Sequence, residues 1–271
     1  MSKRLRIGLN VVLALIVAAG VGVLLNQQLR WRDSAQAQEK AEQTAKFAPP
    51  VVTAPPLETE AAEQSQPLQV EQDPVVQALA EVDLAALREI NPDVAGWLYI
   101  PGAEISQPIL QGPDNDYYLR HTWEKKWNGG GAIFLDWRSS RGFEDFNTII
   151  YGHQMNNGTM FAPLHLYEEA DFWREYPSAY VAVDGGVYRY DIFAAWEPSI
   201  TSVVYTVDFD APEDRQAFVE LCLASSQIDT GVAPGPEDRL LTLSTCSGND
   251  HTVRWVVQAR LAQTYSFSNK G

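Results

Sequence analysis

The sequence predicts a mainly β domain: a closed or nearly closed β-barrel with peripheral helices, set after an N-terminal transmembrane helix and a linker. Three observations predict it. Short runs rich in β-branched and aromatic residues, bounded by turn residues, recur from Gly96 to Leu261. Few helical patterns separate them, which argues against a parallel α/β sheet. Ahead of them, Ile7 to Leu25 is Ile, Val, Leu, Ala and Gly, interrupted only by Asn10.

That apolar run is long enough for a helix to cross a bilayer core, which needs about 20 residues. Lys3, Arg4 and Arg6 precede it, so the positive-inside tendency puts residues 1–6 in the cytoplasm, 7–25 in the membrane and the rest outside. A cleaved signal peptide is the competing reading, because Ala35-Gln36-Ala37 resembles a small-x-small cleavage site. The length of the run, and Arg30, Trp31, Arg32 and Asp33 before that site, favour an uncleaved anchor. Residues 26–72, rich in Gln, Ala, Glu and Pro, read as an extracytoplasmic linker that holds the folded part away from the bilayer.

The folded domain is expected over 73–265, with 266–271 as a tail. Asp73-Pro74 suits an N-cap and first turn, and Val75, Val76, Leu79, Val82, Leu84, Leu87 and Ile90 recur at helical spacing until Asn91-Pro92. Strands follow at 96–100 and 105–110 around the turn Pro101-Gly102, then at 132–136 and 147–151. Segments 180–183 and 187–196 flank Asp184-Gly185-Gly186, a hairpin signal. Helical patches are expected at 114–123, 160–166 and 168–176. Pro212 to Ser225 reads as an amphipathic helix with Phe218, Leu221, Cys222 and Ser225 on one face. Segments 240–245 and 252–261 close the domain as strands.

All 35 acidic residues lie after Arg32, and the chain carries a net charge of −15. A nucleic-acid binder needs a basic surface to displace counterions, so that class is excluded.

The chain has two cysteines. Cys222 lies in the inward stripe of its helix, where a small soft residue serves packing. Cys246 ends the run Leu240-Leu241-Thr242-Leu243-Ser244-Thr245, just before the polar turn Ser247-Gly248-Asn249-Asp250. A strand-end thiol beside a loop is accessible, as a nucleophile must be. In an oxidising compartment a Cys222–Cys246 disulfide in a non-catalytic surface-binding domain is the alternative.

A thiol nucleophile also needs a proton-transfer partner and an oxyanion stabiliser. His165 and His121 fall in helical patches and read as structural, and His251 as solvent-facing. His153 follows Asn147-Thr148-Ile149-Ile150-Tyr151-Gly152, a strand that breaks at a glycine, so it sits at a strand end as Cys246 does. Arg254 opens the last strand among Val253, Trp255, Val256 and Val257; alternation alone leaves open whether it faces outward or into a site.

Taken together, Tyr151-Gly152-His153, Thr242-Leu243-Ser244-Thr245-Cys246 and Arg254 eight residues on resemble the catalytic signature of sortases. Asn91-Pro92-Asp93-Val94-Ala95-Gly96-Trp97-Leu98, Asn115-Asp116-Tyr117-Tyr118-Leu119 and the helix before the nucleophile strand are similar to class B segments; the resemblance spans about 75–265. It implies an eight-stranded sortase barrel and a cysteine transpeptidase of the Gram-positive cell surface. It further implies Cys246 as nucleophile, His153 as proton-transfer residue and Arg254 as the group holding substrate and oxyanion. Asn115, Leu119, Ser244 and Thr245 would then line the substrate groove, with no metal and no cofactor. The implied partners are surface proteins with a C-terminal sorting motif of the NPxTN or xPxTG kind, and a peptidoglycan-precursor or pilin amine as acceptor. Another cysteine peptidase or an L,D-transpeptidase is the alternative enzyme. The absence of a Ser-His-Gly-Cys run weighs against the latter.

Overall fold

The computed structural model describes residues 3–50, 73–247 and 250–267. The chain begins with α1 (Lys3–Ala45), followed by α2 (Pro74–Ala80) and α3 (Leu84–Ile90). Eight strands then run through the domain: β1 (Val94–Ile100), β2 (Ile105–Leu110), β3 (Phe134–Leu135), β4 (Asn147–Tyr151), β5 (Ser178–Val183), β6 (Gly186–Trp196), β7 (Leu240–Ser247) and β8 (Asp250–Ser266). Helices α4 (Ala170–Glu175) and α5 (Pro212–Ser225) lie in the connections on either side of β5 and β6.

The strands close into a barrel in the order β1-β2-β3-β4-β7-β8-β6-β5. Closure leaves no exposed sheet edge. Most neighbours are antiparallel, but β2–β3 and β4–β7 are parallel. The β4–β7 pairing matters most for the site, because it aligns two strands whose C-terminal ends emerge on the same rim.

Several local expectations are refined. The single helix read from Val75 to Ile90 is two short ones. The Asp73 carboxylate caps α2 by accepting from the N–H groups of Val75 and Val76, and Asp83 starts α3 by accepting from the Ala86 N–H. A side-chain acceptor at that second point offers the backbone an alternative to continuing the first helix. The patches at 114–123 and 160–166 form 3-10 turns, Tyr117–Leu119 and Ala162–Glu168.

The stretch expected as a linker is partly structural. Helix α1 runs unbroken to Ala45, and Ala41, Ala45 and Phe47 are buried in a core outside the barrel with Trp97, Tyr99 and Leu110. The Trp123 indole N–H donates to the Ala37 carbonyl at 2.7 Å, and Ser34 Oγ donates to Asn128 Oδ1 at 3.1 Å. Residues 51–72 of the expected linker and 268–271 of the expected tail lie outside the described residues. Among the described residues no helix is both long and apolar enough to cross a membrane; the side chains of residues 3–9, 11–14, 23–27 and 29–31 of α1 fall outside that description.

The barrel interior is filled by Leu98, Ile109, Ile150, Leu241, Leu243, Trp255 and Val257 among others. A third core, Phe146, Phe193, Trp196, Phe218, Cys222 and Val256, seats α5 against the outside of β6 and β8. Cys222 is a free thiol with no exposure, and burial pushes it up to about 12. That removes the Cys222–Cys246 disulfide and with it the stapled binding-domain alternative.

Candidate active site

Strand β7 is the spine of the site. Along it Leu241 and Leu243 enter the barrel interior, so Leu240, Thr242 and Ser244 face the other way. Strand β8 pairs antiparallel with it, matching Thr242 with Gln258, Ser244 with Val256 and Cys246 with Arg254. Directly opposed residues share a face. The Cys246 backbone is thus placed against Arg254 at the rim; the side chains of Cys246 and His251 lie outside the described residues.

Arg254 alternates with Trp255, whose ring is inside the barrel, so it points away from the interior. Of the two readings of Arg254 left open by alternation, this is the outward one, on the face that Ser244 shares. Its backbone is fixed by an N–H bond to the Pro198 carbonyl (2.9 Å), and its guanidinium donates to the Val253 carbonyl (2.8 Å).

His153 is delivered by β4. Tyr151 is in register with Ser244, and the Gly152 N–H donates to the Ser244 carbonyl at 3.1 Å, so the chain stays on β7 one residue beyond the strand. Gly152 is required there because a Cβ would meet the Phe161 ring at 2.6 Å. The half-buried imidazole bonds through Nε2 to the Leu119 carbonyl at 2.8 Å. A carbonyl only accepts, so Nε2 carries the proton in this contact. Leu119 thus orients the histidine.

The other expected groove residues divide. Ser244 Oγ lies 3.2 Å from the Tyr205 hydroxyl, on the outward face. Asn115 donates to Asp136 Oδ2 (3.0 Å) and accepts from the Trp137 N–H (3.0 Å), so both ends of its amide are engaged. Thr245 differs from these: it pairs with Trp255 on the interior face and is only 2 % exposed. His121 stacks on Tyr117 and bonds its carbonyl, and His165 stacks on Trp255 beside Glu168. Both serve packing.

Residues not singled out from sequence join Asn115 and Ser244 in one network. The Asp136 carboxylate, fully buried, accepts from Arg138 Nη2 (2.7 Å), Arg138 Nε (2.8 Å) and the Tyr151 hydroxyl (3.0 Å) as well as from Asn115. Burial opposes its ionisation, but these donors outweigh burial and hold it below the ordinary aspartate value. Burial also raises the Tyr151 phenol, which stays neutral and donates. Tyr151 stacks on Tyr205 with ring centroids 6.3 Å apart. Asp136 was visible only as an acid ending an apolar run, and Tyr205 sits in a connection with no periodicity. Among the described residues, no group of three His, Cys, Asp or Glu side chains is placed to hold a metal ion.

One rim of a closed eight-stranded barrel thus carries a cysteine opposed to an arginine across β7 and β8, with a histidine just past the end of the adjacent β4. The model described as Sortase domain matches residues 98–262. Sortase B of Listeria monocytogenes is 37 % identical over 183 residues, covering 66 % of this chain and 74 % of that protein. The Staphylococcus aureus sortase B–substrate complex superposes with a TM-score of 0.63 at 30 % identity, covering 68 % of this chain and 85 % of that one. Clostridium perfringens sortase B gives 0.64 at 29 % identity, covering 67 % and 100 %. The chain belongs to the sortase family, and within it is a sortase B-type transpeptidase.

Proposed function

We propose that this transpeptidase cleaves a C-terminal sorting motif of the NPxTN or xPxTG kind after its threonine and joins the new carboxyl end to an amine of a cell-wall precursor or pilin. The observation that carries the reading is the β7–β8 register, which opposes Cys246 and Arg254 at the rim that His153 also reaches. That a staphylococcal sortase B was captured with a substrate supports a peptide-binding groove here as well.

The chemistry follows from the groups. The Cys246 thiolate attacks the threonine carbonyl, and negative charge collects on its oxygen. A guanidinium already oriented by backbone contacts stabilises that charge better than water, which would have to reorganise. The scissile C–N bond then breaks, and the leaving amine takes a proton from the His153 imidazolium. A thioester to Cys246 remains. The neutral imidazole next accepts a proton from the incoming amine as it attacks, which forms the new amide and releases the thiolate. Two cationic neighbours also favour the thiolate over the thiol.

In this reading residues 7–25 anchor the chain in the cell membrane, residues 1–6 stay cytoplasmic and the barrel stands outside, beside both substrate and lipid-linked acceptor. Tethering raises the effective concentration of the partners. The test is capture of the acyl-enzyme: incubated with a sorting-motif peptide, the wild type should gain the mass of the acyl fragment and Cys246→Ala should gain none. Turnover by Cys246→Ala would sink the assignment.

A further inference from the structure

The wall facing Ser244 is a 3-10 turn, Val203–Tyr205, in the long connection between β6 and β7. Turns of this kind leave their last carbonyls without partners inside the turn. Here three consecutive carbonyls are satisfied by side chains from elsewhere. Asn147 Nδ2 donates to Val204 O (3.0 Å) and to Thr206 O (2.8 Å), and Arg138 Nη2 donates to Tyr205 O (3.0 Å). The Asn147 N–H adds a bond to the Val207 carbonyl at 2.9 Å.

The orientation of the Asn147 amide is dictated by a buried chain of hydrogen bonds. Trp196 Nε1 can only donate, and it donates to Gln258 Oε1 at 2.8 Å. The Gln258 amide nitrogen therefore faces Thr242 Oγ1, at 3.2 Å. Having accepted there, the Thr242 hydroxyl donates to Asn147 Oδ1 at 2.7 Å, which leaves the Asn147 NH2 toward the two carbonyls. Asn147, Thr242 and Gln258 have no exposure at all. Reversing the amide would bury unpaired groups at both ends, so the chain admits one arrangement. Arg138 is held independently, by its paired bonds to Asp136.

We propose that Asn147 and Arg138 are positioning residues that clamp residues 203–206, fixing Tyr205 over Ser244 so that this groove wall is set before a sorting peptide arrives. Neither residue need touch the reacting atoms. The inference rests on the reading that this groove takes the sorting motif. A preset wall saves the ordering cost that a mobile one would charge to binding, so its loss should weaken peptide binding without slowing the acyl transfer itself.

Two measurements on the full-length chain separate the possibilities. Thr242→Val keeps the volume but removes the hydroxyl that orients Asn147, while Thr242→Ser keeps it. The former should speed amide hydrogen exchange at 203–206 and raise KM for a sorting-motif peptide about tenfold, with kcat within about twofold; the latter should restore both. Arg138→Gln, at the surface, should raise KM about threefold and keeps the test alive should Thr242→Val fail to fold. Unchanged exchange at 203–206 overturns the clamp. Faster exchange with unchanged KM, or a fall in kcat alone, overturns its role in binding. A wild-type protein that forms no thioester refutes the transpeptidase reading instead, and the exchange data still decide the clamp.

Discussion

Strands β4, β7 and β8 each present two faces built on one backbone, and the faces differ in kind. Inward go Ile150, Leu241, Leu243, Trp255 and Val257, an apolar set in which the Trp255 indole N–H is the one polar group. Outward go Asn147, Thr242, Ser244, Gln258 and Arg254, nearly every one engaged in a directed bond. The inner face holds by area, which is tolerant of direction; the outer face adds to the apolar contacts of Leu240 and Val256 a set of hydrogen bonds, which are not. Stability should therefore respond most to inward changes, and activity to outward ones.

The largest effect on that contrast is expected from Trp255→Ala, which removes a ring only 2 % exposed and its 2.9 Å bond to the Leu164 carbonyl. Denaturant unfolding should show a loss of about 3–5 kcal/mol. A loss under about 1 kcal/mol, the range of surface changes, would erase the distinction. One residue away, Arg254→Lys keeps the charge and discards the planar fork. Acyl transfer should slow by about 100-fold while the unfolding midpoint hardly moves. Near-normal turnover would show that this rim arginine does not meet the substrate.

Asp136 offers a finer probe because it is ionised and fully buried. Its folded-state value lies below the ordinary one, so its pairing stabilises the fold above about pH 4 and is lost as pH falls through the depressed value. In acid titrations of stability the wild type should fall more steeply than Asp136→Asn, which starts lower because Arg138 loses its partner. Parallel curves would contradict the assigned ionisation. The smallest effect concerns Cys222. With its thiol pushed up to about 12 by burial, native protein at pH 8 should take up alkylating reagent only at Cys246, and the second thiol should react only on unfolding. Rapid labelling of Cys222 would open the third core to solvent.

Much of this was legible in the sequence. The strand ends at His153 and Cys246 announced themselves because an apolar β run stopped at a glycine in one case and at a polar turn in the other. The barrel followed from the number and brevity of such runs. Tyr205, Asn147 and Arg138 were not legible, since their meaning lies in bonds that join residues 57 to 67 positions apart. The inward side of Thr245 was hidden for a simpler reason: alternation sends the residue beside Cys246 to the opposite face, and motif membership conceals that. The docking of α1 had a visible trace in Ala37, Ala41 and Ala45, spaced by four along one helix face. The surrounding Gln and Glu made the stretch read as solvated spacer.

That helix changes how the enzyme would meet its partners. An unbroken α1 of 43 residues is about 65 Å long, and its C-terminal part is bolted to the barrel at Ala37, Ala41 and Ala45, with Phe47 just beyond it. With residues 7–25 in the bilayer as proposed, under a dozen residues separate lipid from the contact of Ser34 with Asn128. The domain would then stand as on a mast rather than swing on a leash, its rim kept at one height and one bearing. Capture of a peptide emerging from the membrane would become a matter of lateral drift and rotation about a single axis. Two Gly residues inserted after Arg32 would give back the lost degrees of freedom without touching the groove.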